Sequence, residues 1–189
     1  MKKRTDRLRR MFVALWGSTL LFANAALCQS PSYVVPPVSQ AVPEGATAYL
    51  SVSVTGALPI TYTWHRNFEF TNYYSVTLDS TNCSLVLTNM TPDKACFFNL
   101  DVSNVYGYAP GKQVIVAVIS AGMETNGFAL TIHGLTNSVW RIDYTTNLVS
   151  SGWLTLTNLT IPGTPPVIKF VDLAATNLNR FYEVVPTVY

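Results

Sequence analysis

Apolar and polar residues alternate with a period of two along most of this chain, in short runs separated by turn residues. The clearest run is Pro59 to Asn67, where Ile60, Tyr62 and Trp64 alternate with Thr61, Thr63 and His65. That period marks a strand with one buried face, and Trp64 is the side chain around which a core would form. Upstream, Ala48, Leu50, Val52 and Val54 alternate with Tyr49, Ser51 and Ser53. Downstream, Leu85, Leu87 and Met90 fall on a strand that runs into the corner Thr91-Pro92-Asp93. Phe98, Leu100 and Val102 then alternate with Asn99, Asp101 and Ser103, and Val114, Val116 and Val118 close the set. Phe68 to Leu78 fits one or two short strands around Phe70, Tyr74 and Val76. Turn residues at Pro43 to Gly45, Gly56 to Pro59 and Asn104 to Gly111 divide these runs. About seven short strands with turn signals every ~8–12 residues predict an antiparallel sandwich.

A second patterned unit follows. Gly122 and Gly127 mark residues 119–126 as a short linker. Phe128, Leu130 and Ile132 then alternate with Ala129, Thr131 and His133, and Trp140, Ile142 and Tyr144 form the next inward face. Trp153, Leu156 and Leu159 lie on a further strand, Ile168 and Phe170 on another, and Arg180 to Val185 on the last. Residues 127–187 thus read as a smaller β-sandwich-like module. A unit of about 60 residues is small for a core of its own, so it is expected to lean on the first.

Ahead of the first strand, Lys2, Lys3, Arg4, Arg7, Arg9 and Arg10 precede an apolar run from Met11 to Ala23 and then small residues. This is the layout of a secretory signal peptide. The run of about 13–17 residues falls short of the ~20 that span a bilayer. Residues 1–28 are therefore expected to be a signal peptide, cleaved near Ala25 to Cys28, with no membrane span left afterwards. Lipidation of Cys28 is disfavoured by Leu27, where a small residue is usual. The chain carries a net +2 and its first 28 residues +5, which leaves −3 for the remainder. The basic balance belongs to the leader and gives no reason to expect nucleic acid as a partner.

G-x-x-A-x-L-x-V at Gly45 to Val52, Y-x-W at Tyr62 to Trp64, L-x-L at Leu85 to Leu87 and D-x-A-x-x-F-x-L-x-V-x-N-x-x-G at Asp93 to Gly107 resemble successive strands of a bacterial immunoglobulin-like domain. The resemblance covers residues 34–118 and implies an Ig-like antiparallel β-sandwich without the inter-sheet disulfide. Val52 and Leu100 stand where many members carry those cysteines, and Phe98 stands where the corner tyrosine is usual, so the corner hydrogen bond is absent. Gly-Phe at 127–128, Trp140 to Leu148, Trp153 to Leu156, Phe170 to Asp172 and Arg180 to Tyr182 resemble a C-terminal β-module of secreted, Verrucomicrobia-type proteins. That module implies a compartment and an architecture, not an activity. On this fold Cys83 and Cys96 lie near opposite ends of the sandwich, against the ~7 Å Cα separation that a bridge needs. Whether they pair stays open.

Catalytic groups are scarce. The two histidines, His65 and His133, sit on strands of different units, and no Cys-x-x-Cys, Gly-x-Ser-x-Gly, His-Glu-x-x-His or P-loop occurs. No metal, no cofactor and no enzyme activity are expected. The carboxylates Glu69, Asp79, Asp93, Asp101, Asp143 and Asp172 are spread over strand ends and turns. Asp172 and Arg180 flank one loop and are expected to close it with a salt bridge. Aromatic residues offer the alternative to chemistry, because exposed rings stack on sugars or on protein. Phe97 is expected to point outward if Phe98 points inward, and Tyr106 and Tyr108 lie in a loop position suited to binding. These three are the candidate ligand-binding residues; Val52, Trp64, Leu100, Trp140 and Trp153 are the expected structural core. The expected protein is secreted or held at the cell envelope, non-enzymatic, and binds protein or polysaccharide at the cell surface in adhesion. The alternative is a carbohydrate-binding accessory module of an extracellular degradative system, which calls for a planar row of exposed rings.

Overall fold

The computed structural model describes residues 29–67, 76–78, 83–149, 152–175 and 179–187. The expected leader, and Phe70 and Tyr74 of the ambiguous segment, lie outside the described residues. The chain is all-β. Its strands are β1 (Ser32–Val35), β2 (Gln40–Pro43), β3 (Ala48–Ser51), β4 (Ser53–Thr55), β5 (Thr61–Asn67), β6 (Val76–Leu78) and β7 (Ser84–Leu87). After a 3-10 turn at Pro92–Lys94 come β8 (Cys96–Asn104), β9 (Gly107–Glu124), β10 (Gly127–His133), β11 (Val139–Thr145), β12 (Leu154–Thr160), β13 (Val167–Asp172) and β14 (Phe181–Pro186).

The first sandwich is the expected Ig-like one. On one side β5 pairs antiparallel with β6 and β8, β8 with β9, and β2 joins β9 in parallel. On the other side β1 pairs with β4 and β3 with β7. Val52 interrupts the alternating run between β3 and β4, and its N–H donates to the Cys83 carbonyl at 3.0 Å. Between the two layers Trp64, Leu100, Phe98 and Met90 are buried, with Val52 beside them. Phe98 has no hydroxyl to give; instead the Tyr33 hydroxyl crosses the core and donates to the Leu100 carbonyl at 2.7 Å. Cys83 and Cys96 are both free thiols, the first exposed and the second buried.

Residues 119–126 are not a linker. They are the far half of β9, in strand as far as Glu124, followed by the turn into β10. β2 occupies one edge of β9 from Val116 to Ile119, so β8 and β10 must both lie along the other edge, one after the other. β9 therefore serves both units: its first half pairs with β8 and its second half with β10, so one seven-stranded sheet runs through both. β10 adds β13, and the separate sheet β12–β11–β14 packs against them. The second core gathers Trp140, Ile142, Leu130, Ile132 and Ile161, and it also takes Phe97, Ile115 and Ala117 from the first unit. Consecutive residues Val114 to Val118 are all buried, because cores press on both faces of the strand there. A strand covered on both faces reads as a continuous apolar run.

Candidate functional site

The loops at one end of the Ig-like sandwich are tied together. Asn104, the last residue of β8, donates its Nδ2 to the carbonyls of Gln29 and Ala57, both at 2.8 Å, and its Oδ1 accepts the Tyr106 N–H at 2.9 Å. One side chain thus fixes the β8–β9 hairpin to the β4–β5 loop and to the chain before β1. Gly107 closes the hairpin with φ +151°, and a Cβ there would lie 3.1 Å from Ser30 Cβ. The end so formed displays Leu58 at 82% exposure, Val105 at 78%, Tyr106 at 49% and Tyr108 at 74%. Beyond Tyr108, Ala109 turns into the core, so Tyr108 belongs to the outer face of the β5–β8–β9 sheet. On that face His65 Nε2 lies 3.0 Å from Asp101 Oδ2, and Asn99 Nδ2 donates to Asp101 Oδ1 at 3.2 Å.

The structure therefore separates the three expected binding residues. Tyr106 and Tyr108 are exposed at the loop end. Phe97 does face away from Phe98, but that face is covered: Phe97 is 6% exposed and packs in the second core, roughly 25 Å from the loop end at about 3.3 Å per strand residue. It is not a surface residue, and its role is to join the units. Val52, Trp64, Leu100 and Trp140 are buried; Trp153 is only half-buried, because it precedes β12 and lines a cleft instead of a core. Among the described residues the exposed rings form no row: Tyr49 is on β3, Tyr106 and Tyr108 at the loop end, and Phe181 on β14.

Asp172 and Arg180 form the expected ion pair at 2.6 Å, both little exposed. Tyr182 was not singled out beside them, yet its hydroxyl donates to the same Asp172 Oδ2 at 2.8 Å, and the Ala174 N–H donates to Oδ1 at 2.9 Å. The guanidinium also lies 4.4 Å over the Tyr144 ring. Burial raises the Asp172 pKa, but the Tyr182 hydroxyl, the Ala174 N–H and Arg180 together hold it below the ordinary carboxylate value. Burial first, and then the bond to Asp172, push Tyr182 up to about 12. On β11, Arg141 reaches Asp143 at 2.7 Å.

Two hollows lie where the units meet. One, of about 510 Å³, is floored by Phe97, Ile115 and Trp140, rimmed by Pro36 to Ser39, and has no charged residue in its lining. The other, of about 750 Å³, is bounded by Glu44, Phe128, Trp153 and Arg180 to Tyr182. Among the described residues no group of three or more His, Cys, Asp or Glu could hold a metal ion, and no helix is long and apolar enough to cross a membrane.

No protein-family model matches the chain, and no curated protein matches it. Solved immunoglobulin domains are similar to about half of it. The titin M4 domain is 16% identical over 48% of this chain and 96% of its own, with a TM-score of 0.41. The complex of titin M10 with the obscurin-like 1 Ig domain gives 22% identity, 48% and 94% coverage and a TM-score of 0.40. The tandem Ig repeats of Dlar give 14% identity, 49% and 50% coverage and a TM-score of 0.37.

Proposed function

We propose that this chain is a non-enzymatic binding protein that acts in adhesion outside the cell or at its envelope, and that the loop end of the Ig-like sandwich makes the contact. The observation that carries this reading is the exposure of Leu58, Val105, Tyr106 and Tyr108 together on loops fixed by Asn104. Large apolar side chains on a preordered surface lose little conformational freedom on binding, and aromatic residues dominate such contacts. The partner best matched to a mixed aliphatic and aromatic surface is another protein. Export rests on the basic, apolar and small-residue order of residues 1–28, and bacterial origin on the resemblance of the Ig-like and C-terminal modules.

The test is capture of cell-surface protein by the purified chain, compared with a Leu58→Asp/Tyr106→Ala variant, alongside N-terminal sequencing of the exported form. Saturable capture lost in the variant, and a mature terminus at Ala26 or Gln29, are the expected results. Capture indifferent to the variant refutes the loop-end assignment. Retention of the intact leader inside the cell refutes export.

A further inference from the structure

The cleft of about 750 Å³ between the units is built from segments far apart in sequence: the turn after β2, the middle of β9, the start of β10, the loop before β12 and the start of β14. Its size lies within the ~300–1,000 Å³ of small-ligand sites, which favour junctions between units. We propose that it binds a neutral oligosaccharide. This site is separate from the loop end and does not depend on it.

The chemistry of the lining supports that class of ligand. Phe128 and Tyr182 stack on each other with centroids 4.5 Å apart and 12° between planes, so each fixes the other in the wall of the cleft. Trp153 is half-buried and Phe181 is 40% exposed beside it. Ring faces of this kind suit the apolar C–H faces of pyranoses. Glu44 and Arg180 add planar, charged hydrogen-bonding groups, and each is already positioned by the protein. Ser120 donates to Glu44 Oε2 at 2.7 Å, and Arg180 Nη1 is held by Asp172 at 2.6 Å. A purely apolar ligand would strip water from both charged groups without replacing it, at a cost. An anion would find the Arg180 charge already neutralised by Asp172 and would meet the Glu44 carboxylate. A neutral polyol satisfies both groups and the rings at once. The other hollow has Ser39, Gln113 and Thr187 as its polar side chains and no charged residue among the described residues of its lining, so it lacks the charged hydrogen-bonding pair of this cleft.

The experiment is isothermal titration of the purified full chain with cellopentaose, xylopentaose, laminaripentaose and mannopentaose, with an acidic oligogalacturonate as comparison. Saturable binding of at least one neutral sugar is expected. Trp153→Ala and, separately, Glu44→Gln should each weaken it roughly tenfold or more, while Tyr106→Ala/Tyr108→Ala leaves it unchanged. Glu44 lies on an exposed turn, so its variant tests the site even if loss of Trp153 disturbs folding. Absence of binding by all four sugars at millimolar concentration overturns the proposal. So does binding that survives Glu44→Gln, binding lost in the loop-end variant, or a preference for the oligogalacturonate.

Discussion

Phe97→Ala distinguishes a surface ring from a joint between units. The ring is 6% exposed, pairs across the ladder with Ile115 and belongs to the core that Trp140 and Ile142 share with β9. Truncating a buried Phe to Ala costs about 3–5 kcal/mol, from lost transfer energy and an incompletely collapsed cavity. The hollow of about 510 Å³ already borders one side of the ring, so fewer contacts are lost and the lower figure, about 3 kcal/mol, applies. With a urea dependence of about 2 kcal/mol/M, the midpoint should fall by roughly 1.5 M. Tryptophan fluorescence gives the midpoint, and hydrogen exchange of β5 and β11 peptides reads the two cores separately. Both should lose protection together, because β9 contributes residues to both cores. A shift below about 0.25 M, equivalent to the ~0.5 kcal/mol of an ordinary surface substitution, would refute the assignment. Loss of protection in β11 with β5 untouched would refute the coupling.

Acid should weaken the second unit through Asp172. Its folded pKa lies below the ordinary value, so its stabilisation is complete above the unfolded pKa of about 3.9 and drains away as pH falls through the folded value. Asp172→Asn should flatten that acid limb in urea midpoints measured against pH, and should cost about 3–5 kcal/mol at neutral pH by leaving Arg180 buried without its partner; an unchanged acid limb would contradict this. Gly127→Ala should destabilise the β9–β10 hairpin, because φ is +154° and the new Cβ would overlap the Asp172 carbonyl; strain of this type costs about 1–3 kcal/mol, and an unchanged melting temperature would count against the hairpin geometry. Tyr33→Phe should cost about 1 kcal/mol in urea unfolding, since the Leu100 carbonyl loses its donor. Cys83 should react with a thiol reagent in the native protein and Cys96 only after unfolding; rapid reaction that survives Cys83→Ser would show the Cys96 end of β8 to be open.

The local pattern by itself determined the antiparallel sandwich of the first unit. Alternation around Trp64, Leu50 and Leu100 reports which face of each strand is apolar, and that is decided residue by residue. The Asp172–Arg180 pair was legible for a similar reason: opposite charges flanking one short loop have few other places to go. Tyr106 was legible as a turn residue, whereas Tyr108 lies on β9 with its ring on the outer face of the sheet. What covers a face is a different question, and only the tertiary structure answered it. Phe97 and Phe98 are adjacent aromatic residues on opposite faces, and nothing local says that the second face meets another core. The run Val114-Ile-Val-Ala-Val-Ile119 did carry the signal, since apolar residues at every position mean burial on both sides. Read only at alternate positions, it gives one buried face and a linker after it. Trp153, Glu44 and Arg180 meet across the cleft through five separate segments. Contacts between segments so far apart depend on how the sheets pack, which no short-range period encodes.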